Sequence, residues 1–252
     1  MSGIKRLRAP NARVTLRGAH ALLCIGLVLG AAAAASAAKP KQSEPSKTPS
    51  GIYTTTFGRS GADYLIVQYW SKGALFRSET IVAGHPLITI VNGAHYYMYD
   101  TLTRQGYVVK RSAATQAADT RRERPFANDL DDLLEDGGEL IRSEEIQGVQ
   151  ANVYRVTDRL GRRTLWVTKD ERQLPLRLER FERQSGISSK LSWMDWLPGL
   201  HIPDSFFEPD ASIELRRFES YEAFLAQLRQ EPVPPAPPLY NYLIHTQGAS
   251  SK

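Results

Sequence analysis

Between 64 and 110 the chain is a succession of short β-branched and aromatic runs: Tyr64-Leu-Ile-Val-Gln-Tyr-Trp70, Leu75-Phe-Arg-Ser-Glu-Thr-Ile-Val82, Leu87-Ile-Thr-Ile-Val91, His95-Tyr-Tyr-Met-Tyr99 and Tyr107-Val-Val-Lys110. They are cut by Gly73, Gly84-His-Pro86, Asn92-Gly93 and Gly106. Runs of this composition between such turn residues predict one antiparallel meander. Two of them, 65–70 and 87–91, are apolar on both parities. A strand with one dry face alternates, so a strand apolar throughout needs cover on both faces, from helices or from a ligand.

Residues 1–37 carry Lys5, Arg6, Arg8, Arg13 and Arg17, then an apolar stretch, then Ala35-Ser-Ala37. A basic start, an apolar middle and a small-residue site are the order of a secretory signal, with cleavage expected near Ala37 and delivery to the periplasm or beyond. The alternative, a retained anchor, has a core short of the roughly 20 strongly apolar residues that span a bilayer. Cys24, the one cysteine, would mark a lipoprotein only with a small residue where Leu22-Leu23 stand. Cleavage removes five basic residues and no acidic one, so the formal charge falls from +5 to zero. A nucleic-acid partner would need a basic stripe on the folded body, and Arg121-Arg-Glu-Arg124 is soon answered by Asp129, Asp131, Asp132, Glu135 and Asp136.

Residues 38–50 read as a disordered linker rich in Pro, Ser and Lys. The body, 51–230, is expected to be a single α+β domain: a large, strongly curved antiparallel sheet, an incomplete β-barrel, with helices over its concave face. Two helices are expected mid-chain, at 113–124 and 126–135, with Phe126, Leu130, Leu133 and Leu134 on one docking face and Gly137-Gly138 as the stop. Further strands are expected at 140–146, 152–157, 164–168, 176–181 and 190–193, then a helix capped by Ser220 with Tyr221, Phe224, Leu225 and Leu228 as its stripe. Residues 231–252 are expected to form a proline-rich arm whose apolar tip, Leu239-Tyr-Asn-Tyr-Leu-Ile-His245, packs back on the body or touches a partner, with a frayed tail as the alternative.

The search for chemistry returns little. His85, His95, His201 and His245 stand in separate segments without metal-ligand spacing, and no cofactor motif is present. Gly58-Arg-Ser-Gly61 is one residue short of a nucleophile elbow and sits at a hairpin. Asp204 and Glu208 form a carboxylate pair of a kind that most chains of this length contain. A non-enzymatic role is the expectation.

Three stretches resemble the LolA/LolB-like lipoprotein-sorting superfamily, to which RseB is related. They are Trp70-Ser-Lys-Gly-Ala-Leu-Phe-Arg-Ser-Glu79 with Ile90-Val-Asn-Gly-Ala-His-Tyr-Tyr-Met-Tyr-Asp100, then Leu165-Trp-Val-Thr-Lys-Asp-Glu-Arg-Gln-Leu-Pro-Leu-Arg-Leu-Glu179, then Ile202-Pro-Asp-Ser-Phe-Phe-Glu-Pro209. The resemblance implies a curved half-barrel holding acyl chains in an apolar cavity. It also implies that Arg77 sits at the cavity edge and holds the covering helices; the competing reading of Arg77 is a surface ion pair with Glu79. Candidate lining residues are Tyr64, Ile66, Trp70, Phe76, Tyr97, Tyr99, Trp166, Leu178, Trp193 and Trp196, with Phe126, Leu130, Leu133 and Leu134 as the lid. The leading expectation is an exported carrier or binding protein for a lipid, acyl chain or lipoprotein. The alternatives are an envelope sensor or interaction module that engages protein partners through the arm and, third, an envelope hydrolase.

Overall fold

The computed structural model divides into two units, Met1–Ser46 and Lys47–Lys252, and describes residues 50–230 and 239–245. The expected signal, most of the expected linker, the proline run 231–238 and residues 246–252 lie outside the described residues. The second unit is built on one twelve-stranded sheet. Its first meander is β1 (Gly51–Ser60), β2 (Asp63–Lys72), β3 (Leu75–Val82), β4 (His85–Asn92), β5 (His95–Asp100) and β6 (Gln105–Lys110). Two helices follow, α1 (Ala113–Asp119) and α2 (Asp129–Glu135). The second meander is β7 (Glu139–Ile146), β8 (Val149–Thr157), β9 (Gly161–Thr168), β10 (Pro175–Glu182) and β11 (Ser188–Leu200). A one-turn 3-10 helix (Asp204–Phe207), β12 (Glu214–Phe218), α3 (Tyr221–Leu228) and the single turn α4 (Asn241–Ile244) complete it.

Strand order is β12-β6-β5-β4-β3-β2-β1-β11-β10-β9-β8-β7, so the sheet is open, with β7 and β12 as its edges. Antiparallel pairing of β1 with β11, from Gly51 opposite Leu200 to Ser60 opposite Ser189, joins the two meanders into one surface. The exception to antiparallel pairing is β12, which lies parallel to β6, Glu214 opposite Gln105. No turn signal announces that pairing, because its partner lies a whole meander away in sequence.

Local chemistry explains most boundaries. The β4–β5 turn is two residues long, with Asn92 opposite His95, so Gly93-Ala94 is its centre and Asn92 closes the strand. Gly93 takes φ +56° there, a left-handed conformation that glycine adopts without the penalty of a Cβ. Helix α2 stops as its glycines predict: the Gly138 N–H donates to Leu133 O and the Gly137 N–H to Leu134 O, a Schellman closure. Gly138 lies so close to the helix that an added Cβ would meet the Leu133 side chain. Ser220 caps α3 by accepting from the Ala223 N–H at 3.2 Å, which satisfies one orphan donor of the first turn.

Both mid-chain helices are shorter than the apolar pattern predicts. Helix α1 ends at Asp119 and α2 begins at Asp129, so Phe126 lies in the connection between them. Pro125 lacks the donor that would carry a helix through this region, and Ala127 adopts φ +58°. With three residues removed from the expected helix, Leu130 and Leu133 dock and Leu134 stays 45% exposed.

Candidate functional site: an apolar sheet face filled by the C-terminal tip

Alternation along strands and the registers across them divide the sheet into two faces. On β2 and β3, Ser71 is opposite Phe76 and Tyr69 opposite Ser78; on β4 and β5, Val91 is opposite Tyr96 and Thr89 opposite Met98. These rows form the face that meets the helices. Phe76, Val91, Tyr96, Met98 and Val109 pack there against Phe126, Phe224, Leu243 and Ile244. The same face continues across the second meander, where Leu130 and Leu133 of α2 cover Val156, Leu165, Val167, Leu178 and Trp193.

The covering side chains are aromatic and interlocked. Phe126 stacks on Tyr69 at 5.2 Å between ring centroids and on Trp196 at 6.0 Å. Tyr240 meets Phe76 edge-on at 5.2 Å, an arrangement that favours the quadrupoles of both rings. Trp196 fixes its own orientation by donating its indole N–H to Pro175 O at 2.9 Å.

Segment 239–245, the tip of the arm, is part of this packing, and Leu243 and Ile244 are fully buried. Polar contacts fix its register. The Tyr240 N–H donates to the Tyr96 hydroxyl and the Tyr240 hydroxyl to that of Tyr69, each at 3.2 Å. Tyr221 donates to Asn241 Oδ1 at 2.8 Å, and the Ser112 N–H donates to Ile244 O at 3.0 Å. Burial lifts the Tyr96 and Tyr240 phenols above their ordinary value of 10.0, because the phenolate would lose its hydration.

Arg111, which sequence reading passed over, holds the tip from below. Its Nε donates to Leu243 O at 2.5 Å and its Nη1 to Gly93 O at 2.6 Å. Asp119 receives both terminal nitrogens at 2.9 and 2.8 Å. The arginine is only 2% exposed, and a buried guanidinium needs a bidentate carboxylate and carbonyl acceptors of this kind.

Of the ten lining candidates, Phe76, Leu178, Trp193 and Trp196 lie on the helix face, together with Phe126, Leu130 and Leu133. Trp70, Tyr97 and Tyr99 lie on the opposite face, beneath Ile202, Phe206, Phe207 and Ile213. Trp166 is also on that side, beside Ile146, Ala151, Val153 and Leu176. Tyr64 and Ile66 are 59% and 56% exposed. The ten therefore do not line one surface. Hairpin arithmetic carries the missing signal: a two-residue turn at Gly73-Ala74 puts Trp70 opposite Arg77 and Ser71 opposite Phe76, so Trp70 and Phe76 face opposite ways.

Arg77 is on the opposite face as well. It pairs with Glu79 at 2.7 Å, donates to Phe206 O at 2.9 Å and lies 4.5 Å above the Phe206 ring. The ion pair with Glu79 forms, and the arginine also pins a covering segment. That segment is the 3-10 turn, not the helices. Asp204, one of the two loop carboxylates, is engaged by Lys72 at 2.7 Å.

Among the described residues are two open grooves. One, of about 730 Å³, is formed where the loop between β9 and β10 meets Trp193, Met194, Asp195, Trp196 and Pro198, so it reaches two of the helix-face candidates. The other, of about 590 Å³, lies between the β1–β2 and β10–β11 hairpins.

No protein-family model matches the chain, and no curated protein matches it. Among solved structures it is similar to an uncharacterized conserved protein from Thermus thermophilus, at 13% identity, TM-score 0.47, over 68% of this chain and 91% of that one. It is similar to a putative outer membrane lipoprotein-sorting protein domain from Vibrio parahaemolyticus, at 15% identity, TM-score 0.30, over 63% and 89%. It is also similar to a chain of the Pseudomonas aeruginosa MucA/MucB complex, at 11% identity, TM-score 0.41, over 66% of this chain and 58% of that one. The match thus spans less than two thirds of the MucA/MucB chain. The fold and the site are defined by this chain's own registers and contacts.

Proposed function

We propose that this is an exported binding protein of the cell envelope, whose helix-covered face takes an apolar chain of the acyl type found in lipids and lipoproteins. One observation carries the reading: the sheet face is closed by a segment that is no part of the sheet. Tyr240, Leu243 and Ile244 reach it from the far side of the proline run 231–238. Eight residues, five of them proline, separate the tip in sequence from Gln230, just past the end of α3. Because segment 239–245 contributes no strand to the sheet, its departure unpairs none. The surface so uncovered holds Phe76, Val91, Tyr96 and Met98, which match an acyl chain in polarity.

The driving force is hydrophobic. Each methylene moved from water contributes about 0.8 kcal/mol, against which stands the loss of the tip's own burial. Exchange between tip and ligand therefore favours long chains over short ones. The experiment is a titration of delipidated protein with fluorescent fatty acids of increasing length. Saturable uptake that strengthens with chain length is the expected result, and absence of uptake at every length contradicts the reading.

A further inference from the structure

We infer that the rim of the sheet formed by the β1–β2, β8–β9 and β10–β11 hairpin turns is a docking surface for an anionic lipid bilayer. The registers bring these turns to one end of the sheet: Ser60 is opposite both Asp63 and Ser189, Phe181 opposite Ser188, and Glu182 opposite Gly161. The end of β3 joins them, since Val67 is opposite Thr80. Large apolar side chains are exposed along this rim: Tyr64 and Ile66 on β2, Ile81 on β3, Leu160 in the β8–β9 turn, Phe181 and Ile187 beside the β10–β11 turn. Neither face's core uses them.

Charge accompanies the exposed apolar groups. The 590 Å³ groove between the first and last of these hairpins is lined by Arg59, Arg162, Arg180 and Lys190, with Glu179 as its one carboxylate. Among the described residues, none of those four cations forms an ion pair within 4 Å; Glu179 is instead 3.7 Å from Arg177. Arg59 lies 5.5 Å above the Tyr64 ring, so cation and aromatic share one site. Arg159 and Arg183 add cations in the turns on either side, where Asp158, Glu182 and, at the start of β2, Asp63 stand among them, so the rim keeps an excess of positive charge without being purely basic.

This combination fits a lipid surface better than a protein partner. A protein interface concentrates its apolar area in a dry centre with charges at the rim. Here the apolar side chains are spread over the ends of β2, β3 and β10 and the two turns that hold Leu160 and Ile187, with cations beside them and no dry cluster joining them. That is the arrangement in which apolar tips enter the acyl boundary while guanidinium and ammonium groups meet phosphates at the headgroup level. Cations near an anionic leaflet add attraction that salt screens.

The test is co-sedimentation of the exported chain with vesicles of equal parts phosphatidylglycerol and phosphatidylcholine, and with phosphatidylcholine alone. The expected result is preference for the anionic vesicles, weakened by salt and reduced roughly fivefold or more by Arg59→Glu or by Lys190→Glu, since one cation near the surface contributes about that factor. Phe181→Ser combined with Ile187→Ser reduces it as well, whereas Arg229→Glu at the end of α3 leaves it unchanged. Unaltered thermal unfolding of each variant shows that it is folded. Equal binding to both vesicle types overturns the inference, as does retention of binding by both charge variants. So does loss of binding to millimolar inorganic phosphate with the apolar variant unaffected, which marks a soluble-anion site. Capture of an envelope protein through these residues, without vesicle binding, overturns it in favour of a protein interface. None of these outcomes depends on whether the helix face takes an acyl chain.

Discussion

The two meanders are made of similar strands but are buried differently. In the first, five consecutive residues of β4, from Leu87 to Val91, are buried; one face meets the tip and Phe126, the other the 3-10 turn with Ile202 and Phe207. In the second, α2 covers one face, and the opposite-face cluster of Ile146, Ala151, Val153, Trp166 and Leu176, with Trp196 beside it, is made of strand residues alone. Its edge strand β7 leaves Leu140 and Ile141 exposed. Apolar character on both parities signals double cover in β4 but not in β2, where Ile66 and Gln68 are exposed although 65–70 reads as apolar on both parities. For β4, most of that cover comes from segments a hundred residues or more away.

A pair of truncations probes that difference with the largest effect. Ile90, at 0% exposure, lies in the doubly covered zone, so Ile90→Ala is expected to cost about 2–5 kcal/mol, the range for emptying a closed core site. Ile66→Ser, on a strand that reads equally apolar, is expected to change stability by no more than about 0.5 kcal/mol. Urea unfolding of both variants measures the contrast. Similar losses would mean that the beginning of β2 is covered in solution.

The smaller effect is on pH. The Tyr96 and Tyr240 phenols have folded-state pKa values raised by burial. For a raised group, its contribution is fully present below the unfolded pKa and is lost as pH rises toward the folded one. The tip of the first meander should thus stay docked at neutral pH and loosen above about pH 10, the unperturbed tyrosine range. The second meander's helix-face cluster has no buried phenol among Leu130, Leu133, Val156, Leu165, Val167, Leu178 and Trp193, and should respond less. Tyrosinate absorbance followed beside tryptophan fluorescence reads the two regions. A single concerted transition starting near neutral pH would contradict the assignment.

Much of the fold was legible in the sequence. Turn glycines, the Ser220 cap and the Gly137-Gly138 stop are local chemistry, and each acts where the sequence places it. What was not legible depends on distance. The parallel strand β12, the 3-10 cover and the docked tip all pair with residues a hundred or more positions away, and no local pattern encodes those partners. The candidate site was mixed for a different reason. Trp70, Tyr97 and Tyr99 were chosen for residue type, but face is set by register; counting through the two-residue turns at 73–74 and 93–94 selects Tyr69, Phe76, Tyr96 and Met98. Arg111 lay beside the helix start at Ser112 and shows its role only once Leu243 is placed above it.

The central claim is that segment 239–245 occupies the place of an apolar ligand. Hydrogen exchange of the chain, with and without saturating long-chain fatty acid, tests it most directly. The amides of Leu243 and His245, which donate to Tyr240 O and Asn241 O at 2.9 Å, are predicted to lose protection by about tenfold or more when ligand binds, while those of β4 keep theirs. Bound fatty acid with undiminished protection of the tip would contradict the claim.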